Sequence, residues 1–328
     1  MSDLLGRVLG LRRRPSRGGG GGASPDDEGD VAPVHPRVLL VVNDPEGEPG
    51  RRLTRMFGWN DPERLARDYI EDLRRCSGGY LDYRIAGRID DDGWPARTDG
   101  FRYDAATFLE DWRSRTPRRR YEFTADHLAR IRGLALDARL DRDEFDEVWF
   151  FSFPYSGDYE SMMAGPGAFW CNAPAMPGTG HHRKRWIMMG FNYERDVDCM
   201  LENFGHRVES IMRQVYRRHP DARNMWRRFT RYDRETPGRA ECGNVHFAPN
   251  SDRDYDWANR RPVPAFCDDW LTYPDLPRRP RTVECAEWGC GMRSHHLWWL
   301  SHLPRAAGRT DGVLNNWWRY VADPNTVE

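Results

Sequence analysis

Five apolar residues in succession, Val38-Leu39-Leu40-Val41-Val42, open the patterned part of the chain. A β-branched run without polar alternation predicts a strand buried on both faces. Glu147-Val148-Trp149-Phe150-Phe151 and Trp186-Ile187-Met188-Met189 repeat the pattern, and Tyr80 to Ile89 reads as a further strand. Between these runs the apolar spacing lengthens to three and four. Asp61-Pro62 opens a helix, with proline at the first helical position, where its missing N–H costs nothing. Leu65, Tyr69 and Leu73 form its stripe, and Ser77-Gly78-Gly79 closes it. Thr124 is expected to cap another helix, with Leu128, Ile131, Leu134 or Ala135, and Ala138 inward. The longest helix is expected over roughly Arg195 to Arg218, ended by Pro220. Residues 90 to 120 are polar and carry no clear period.

Buried strands alternating with helices predict an α/β fold, a mostly parallel sheet with flanking helices on both faces. From about residue 235 the texture changes to Pro, Trp, Asp and Asn, and eight of the fourteen tryptophans lie beyond residue 225. Ser294 to His302 is the one periodic helix there. The expected organisation is a disordered Gly/Arg/Asp-rich tail over 1–35 and an α/β body over 36–232. An irregular Trp/Pro-rich C-terminal extension over 233–328 is expected to pack on that body as one co-folded unit, with a separate second domain as the alternative. There is no internal repeat.

Composition narrows the function classes. With 328 residues, 39% apolar and 12% aromatic, the chain can build a substantial core. Fifty basic residues against 51 acidic ones lack the excess of a nucleic-acid-coating protein, so no nucleic-acid partner is expected. No apolar run of about 18 residues exists, so no membrane partner is expected either. Lys184 is the only lysine beside 49 arginines, which reads as GC-rich coding with most guanidinium groups solvated. The N-terminal stretch runs from weakly apolar to Arg12-Arg13-Arg14, the reverse of a secretory signal. A cytoplasmic location is therefore expected, with the seven cysteines mostly reduced thiols. In an exported protein the last four, Cys242, Cys267, Cys285 and Cys290, become disulfide candidates.

In an open parallel sheet, ligands bind beyond the carboxyl ends of the strands. Asn43 and Asp44 follow the first strand, Tyr155 and Glu160 follow the third, and Asn192, Tyr193 and Glu194 follow the fourth. Asn43, Asp44, Tyr155, Asn192 and Tyr193 are the substrate-binding candidates, with Glu160 and Glu194 as catalytic carboxylates. The plainer reading is that Asn, Asp and Gly build turns there, which fits Asn43 and the Gly165–Gly167 stretch best.

The long helix carries the sharpest constellation. Val197, Leu201, Phe204, Val208, Ile211 and Val215 form its core stripe. Glu202, His206 and Glu209 share another face, nearly opposite that stripe. An imidazole between carboxylates binds a divalent metal, zinc first, or works as an acid–base unit. The plainer reading is a wet polar face. Gly205 in this region points to close packing. His206-x-x-Glu209 resembles the ligand pair of zinc carboxypeptidases, although in that family the pair sits in a loop after a strand. His246 is the expected further ligand. His302 and His295-His296 are weaker candidates, and His181-His182 reads as a surface loop.

Cys242, Cys267, Cys285 and Cys290 make a weaker four-thiolate zinc candidate, because only one close pair is present. Nucleophile-elbow, Walker A and Gly-x-Gly-x-x-Gly patterns are absent. Trp257, Trp270, Trp288, Trp298, Trp299, Trp317 and Trp318 have two readings, exposed platforms for sugar rings or the core of the extension, and the core reading is favoured.

The chain resembles a bacterial protein group that carries no assigned activity. The resemblance rests on Asp146-Glu147-Val148-Trp149, Glu160-Ser161, Met163 to Gly167, Gly190 to Arg195 and Phe204 to Ser210. It continues through Asp254 to Trp257, Cys267 to Trp270 and Trp298-Trp299-Leu300. It spans roughly residues 37 to 323 and implies one co-folded unit, with no residue role.

The leading expectation is a metal-dependent hydrolase of a peptide or glycan amide or ester. His206, Glu209 or Glu202, and His246 would hold the ion, with Glu160 or Glu194 as general base. The rivals are a non-catalytic carbohydrate- or ligand-binding protein and a structural or interaction protein.

Overall fold

A computed structural model describes residues 31–115 and 124–328. The expected N-terminal tail lies outside the described residues up to residue 30. Val34, inside the expected tail, is in fact paired with Leu81, its N–H donating to the Tyr80 carbonyl at 2.7 Å. The described chain falls into two compact units. One comprises His35–Glu71 and Tyr83–Ser210, and the other comprises 31–34, Asp72–Asp82 and Ile211–Glu328.

The first unit holds a five-stranded sheet. The unit's strands in chain order are β1 (Arg37–Asn43), a separate short hairpin of β2 (Glu46–Glu48) and β3 (Arg51–Arg52), β4 (Arg84–Asp91), β5 (Glu147–Ser152), β6 (Ser161–Ala164) and β7 (Trp186–Asn192). The sheet order is β4-β1-β5-β7-β6. β1, β4, β5 and β7 are parallel, with Val38 opposite Glu147 and Glu147 opposite Ile187. β6 is antiparallel, pairing Ser161 with Met189 and Ala164 with Trp186. The expected α/β class and mostly parallel sheet are what the unit shows. The antiparallel edge was not foreseen, because Met162 and Met163 are hidden among the turn formers around them.

Alternation along buried strands explains the two covered faces. Leu39, Val41, Val148, Phe150 and Met188 form one core with Ile131, Leu136 and Leu140. Those three residues come from helices His127–Gly133 and Leu136–Asp141. The single helix expected there is broken at Ala135, which takes φ +50°, and its start is capped by Asp126 rather than Thr124. On the other face, Tyr69 of helix Pro62–Cys76 meets Trp149 and Phe191 at ring distances of 5.0 and 5.3 Å. Phe204 of helix Val197–Val215 meets Tyr69 at 6.3 Å.

The same face holds a buried charge pair. Arg207 donates two hydrogen bonds to Glu147, at 2.7 and 2.5 Å. Glu147 also accepts from the Tyr83 hydroxyl at 2.8 Å and the Trp149 indole at 3.3 Å.

Residues 90–120 include a second surprise. Helix Ala105–Ser114 is started by a capping box between Asp104 and Thr107. It supplies Phe108 and Trp112 to an aromatic cluster with Trp59, Trp94 and Phe153.

The second unit contains the hairpins β8 (Val263–Ala265) with β9 (Arg281–Val283), and β10 (Arg305–Thr310) with β11 (Val313–Asn316). It also contains helices Met225–Phe229, Met292–Ser301 and Trp317–Ala322. Trp270, Trp299 and Trp317 surround Phe229 at ring distances of 5.2, 5.9 and 5.6 Å. Trp270, Trp288, Trp298, Trp299, Trp317 and Trp318 are all buried, so six of the seven tryptophans considered as sugar platforms serve as core.

Cys285 and Cys290 form a disulfide. This corrects both the reduced-thiol expectation for that pair and the four-thiolate zinc set, since two of the four sulfurs are bonded to each other.

Candidate functional site

The carboxyl ends of β1, β5 and β7 lie side by side. The Tyr193 hydroxyl donates to the Asn43 carbonyl at 3.1 Å, and the Tyr193 N–H donates to the Ser152 carbonyl at 3.2 Å. Asn43 is buried and donates to the carbonyls of Asp91 and Gly93 at 3.0 and 2.7 Å. Asp44 accepts the Thr54 N–H at 3.1 Å and the Thr54 hydroxyl as well, anchoring helix Leu53–Phe57. Burial, followed by the Asp44 charge, pushes the Tyr193 phenol well above its ordinary pKa. Tyr155 takes φ +69°, its carbonyl accepts from Arg97, and its ring faces Trp112 at 6.0 Å. Asn192 accepts the Glu194 N–H at 3.0 Å, and Glu194 pairs with Arg195 at 3.0 Å. The Tyr193 and Asn43 bonds tie the strand ends together, whereas the Asp44 and Asn192 bonds shape the turns that follow their strands.

A different region gathers the titratable groups. The His206 Nδ1 lies 3.3 Å from a Glu209 oxygen. Glu202 places a carboxylate oxygen within 4.8 Å of a His206 ring nitrogen. Glu160 reaches the same neighbourhood from the start of β6, and its charge acts on His206. The Glu160 carboxylate accepts from the Asn172 side chain at 2.6 Å. The Asn172 N–H in turn donates to the Ser210 hydroxyl at 3.0 Å, so the helix, the 165–173 loop and the β6 edge are tied together.

Gly190 makes that approach possible. Its N–H donates to the Glu160 carbonyl at 3.1 Å, and a Cβ there would sit 2.2 Å from the Tyr159 carbonyl oxygen. Only glycine lets the 158–160 segment lie this close to β7.

The polar helix face is not wet, as its position opposite the core stripe had implied. Glu209 is buried and His206 is largely covered. Burial pulls the His206 pKa down. The Glu209 hydrogen bond and the charges of Glu209, Glu160 and Glu202 more than offset this, leaving it above its ordinary value. Because a carboxylate only accepts, the Nδ1 of His206 carries the hydrogen. In the neutral ring, Nε2 then carries the lone pair.

His246, the expected further ligand, belongs to the second unit, where its Nδ1 lies 3.1 Å from Asp254 and its ring 4.4 Å from Tyr255.

Groups of residues able to hold a metal ion are therefore present, but donor chemistry separates them. Asp137, His181 and His182 also bring ligand atoms within 4.8 Å of one another. There, however, the His182 Nδ1 accepts the Trp186 indole N–H at 3.0 Å, and its Nε2 meets Asp137 at 2.7 Å. Both ring nitrogens are committed, and the set does not fit a cation.

Asn172 escaped the sequence reading, and Gly190 entered it only as the first residue of a resembling stretch that carries no role. Both matter because β6 folds back beside β7. Comparison with protein-family models, curated proteins and solved structures finds no match for this chain. Among the described residues, no helix is long and apolar enough to cross a membrane.

Proposed function

We propose that the chain is a metal-dependent hydrolase acting on a peptide or glycan amide or ester, with its centre on His206. The observation that supports this is one largely covered imidazole, held at Nδ1 by Glu209 and faced by Glu202 and Glu160. Glu209 acts as the positioning carboxylate that fixes the His206 tautomer. His206 and Glu202 are the cation-holding pair. Glu160 is the general base, because it is exposed at its tip and steadied by Asn172, whereas Glu194 is paired with Arg195. A divalent ion, zinc by preference for imidazole and carboxylate donors, would supply an activated water at near-neutral pH.

The test is elemental analysis of the purified full chain after reconstitution with zinc, alongside His206→Ala and Glu160→Gln. His206→Ala should lose one equivalent of metal relative to wild type. Glu160→Gln should keep the metal and lose about 10²–10⁴-fold of turnover on model amides and esters. Equal metal content in wild type and His206→Ala overturns the reading.

A further inference from the structure

Cys267, Asp268 and His302 all belong to the second unit. Cys267 and Asp268 open the 3-10 turn Cys267–Thr272, and His302 caps the end of helix Met292–Ser301. Their sulfur, oxygen and nitrogen ligand atoms lie within 4.8 Å of one another. The focus is one oxygen, Asp268 Oδ1, which stands 3.6 Å from the Cys267 sulfur and 4.0 Å from the His302 Nε2.

Each donor is aimed by its surroundings. The His302 Nδ1 lies 2.7 Å from the Trp298 carbonyl. A carbonyl oxygen can only accept, so Nδ1 carries the hydrogen and, in the neutral ring, Nε2 presents the lone pair. Asp268 accepts the Arg281 Nε at 2.7 Å through its other oxygen, Oδ2, which turns Oδ1 toward the cysteine and histidine. Arg281 is itself clamped by Glu287 at 2.8 and 2.6 Å. Supports of this kind orient metal ligands and raise their basicity.

The charges also match. Asp268, Glu287 and a Cys267 thiolate carry three negative charges against the single positive charge of Arg281. The net of two negatives suits a divalent cation. Cys267 and His302 are buried, while the Asp268 side chain is 48% exposed, so entry and a fourth, solvent ligand lie on that side.

We propose that Cys267, Asp268 and His302 form a second divalent-cation site, independent of His206. Its thiolate–carboxylate–imidazole donor set favours zinc over magnesium or calcium. On binding, the Cys267 S–H bond breaks, the sulfur–metal bond forms and the proton passes to solvent. The Cys242 thiol donates to the Cys267 carbonyl oxygen at 3.8 Å.

Cobalt(II) is the probe, because a thiolate ligand produces a near-ultraviolet sulfur-to-cobalt charge-transfer band that imidazole and carboxylate cannot produce. The full chain, kept free of reductant so that the Cys285–Cys290 disulfide stays closed and titrated with cobalt(II) without oxygen, should develop this band to the intensity of one thiolate-bound cobalt per chain. The band should persist in His206→Ala and in Cys199→Ser, which changes a half-buried thiol of helix Val197–Val215 in the other unit, and vanish in Cys267→Ser. Asp268→Asn changes a partly exposed side chain, so it tests the site without emptying the core. It should keep the wild-type circular dichroism and bind cobalt about 10-fold or more weakly. A wild-type chain without the band, a band that survives in Cys267→Ser, or unchanged affinity in Asp268→Asn overturns the proposal.

Discussion

Replacing Arg207 with methionine tests the central energetic claim about the sheet unit. The Arg207 side chain is wholly buried and makes two charge-assisted hydrogen bonds to Glu147, itself 2% exposed. Without the guanidinium, Glu147 keeps only the Tyr83 hydroxyl and the Trp149 indole as donors, both neutral. Removing one member of such a buried pair leaves an uncompensated charge and costs about 3–5 kcal/mol. For a unit of this size, about 2–4 °C accompanies each kcal/mol, so the melting temperature should fall by roughly 6–20 °C. Glu147→Leu alone should also be damaging, since it removes both charge-assisted hydrogen bonds that the buried Arg207 guanidinium donates to the carboxylate. The double variant Glu147→Leu/Arg207→Met removes both charges and replaces them with apolar volume. Its loss should be well below the sum of the single losses, by about 3 kcal/mol or more. Thermal unfolding followed by near-ultraviolet circular dichroism reads all four proteins, with Trp149 as a local reporter. Single variants melting within 2 °C of wild type, or a double variant whose loss equals the sum, would refute the reasoning.

Acid sensitivity should trace in part to His127. Burial pulls its pKa down to about 4, with Arg130 lowering it and Asp158 opposing, so the folded protein keeps the ring neutral. The unfolded chain titrates near 6.5 and binds more protons below that point, so stability falls as pH drops from about 6.5 to about 4. The full loss is about 3 kcal/mol, and His127→Gln should flatten a denaturation-versus-pH curve by that amount. A curve of unchanged slope counts against a neutral buried His127. Gly190→Ala should destabilise the sheet unit by about 1–3 kcal/mol through the clash with Tyr159, and should also lower the proposed hydrolytic turnover by displacing Glu160. Wild-type chemical denaturation and turnover in this variant would show that the close approach is dispensable. Trp317→Ala should cost about 3–5 kcal/mol by emptying the cluster around Phe229, read as a lower denaturant midpoint. An unchanged midpoint would mean that the ring is not part of the core.

The candidate site was only half legible. His206 and Glu209 could be paired from their spacing, because residues three apart share a helix face. Their environment could not be read that way. A face opposite the core stripe looks wet on a helical wheel, yet Glu209 is buried. The Cys267, Asp268 and His302 set was out of reach for a related reason. Its members are scattered over 36 positions of a proline- and tryptophan-rich stretch with no usable period, and the sulfur arithmetic pointed instead to four cysteines, two of which are joined to each other.

Local rules were enough for the strands β1, β5 and β7, the long helix Val197–Val215 and the alternation that makes the fold α/β. In each case one side-chain period runs long enough to declare itself. They failed where the deciding partner is distant in sequence. β6 becomes a strand because β7 offers it an edge, and Glu160 comes within electrostatic range of His206 on a segment that Gly190 lets lie close to β7. The tryptophans became core because they face one another across turns that carry no period. Propensity and periodicity act over a few residues, whereas strand edges, close approaches and buried charges are settled only when remote segments meet.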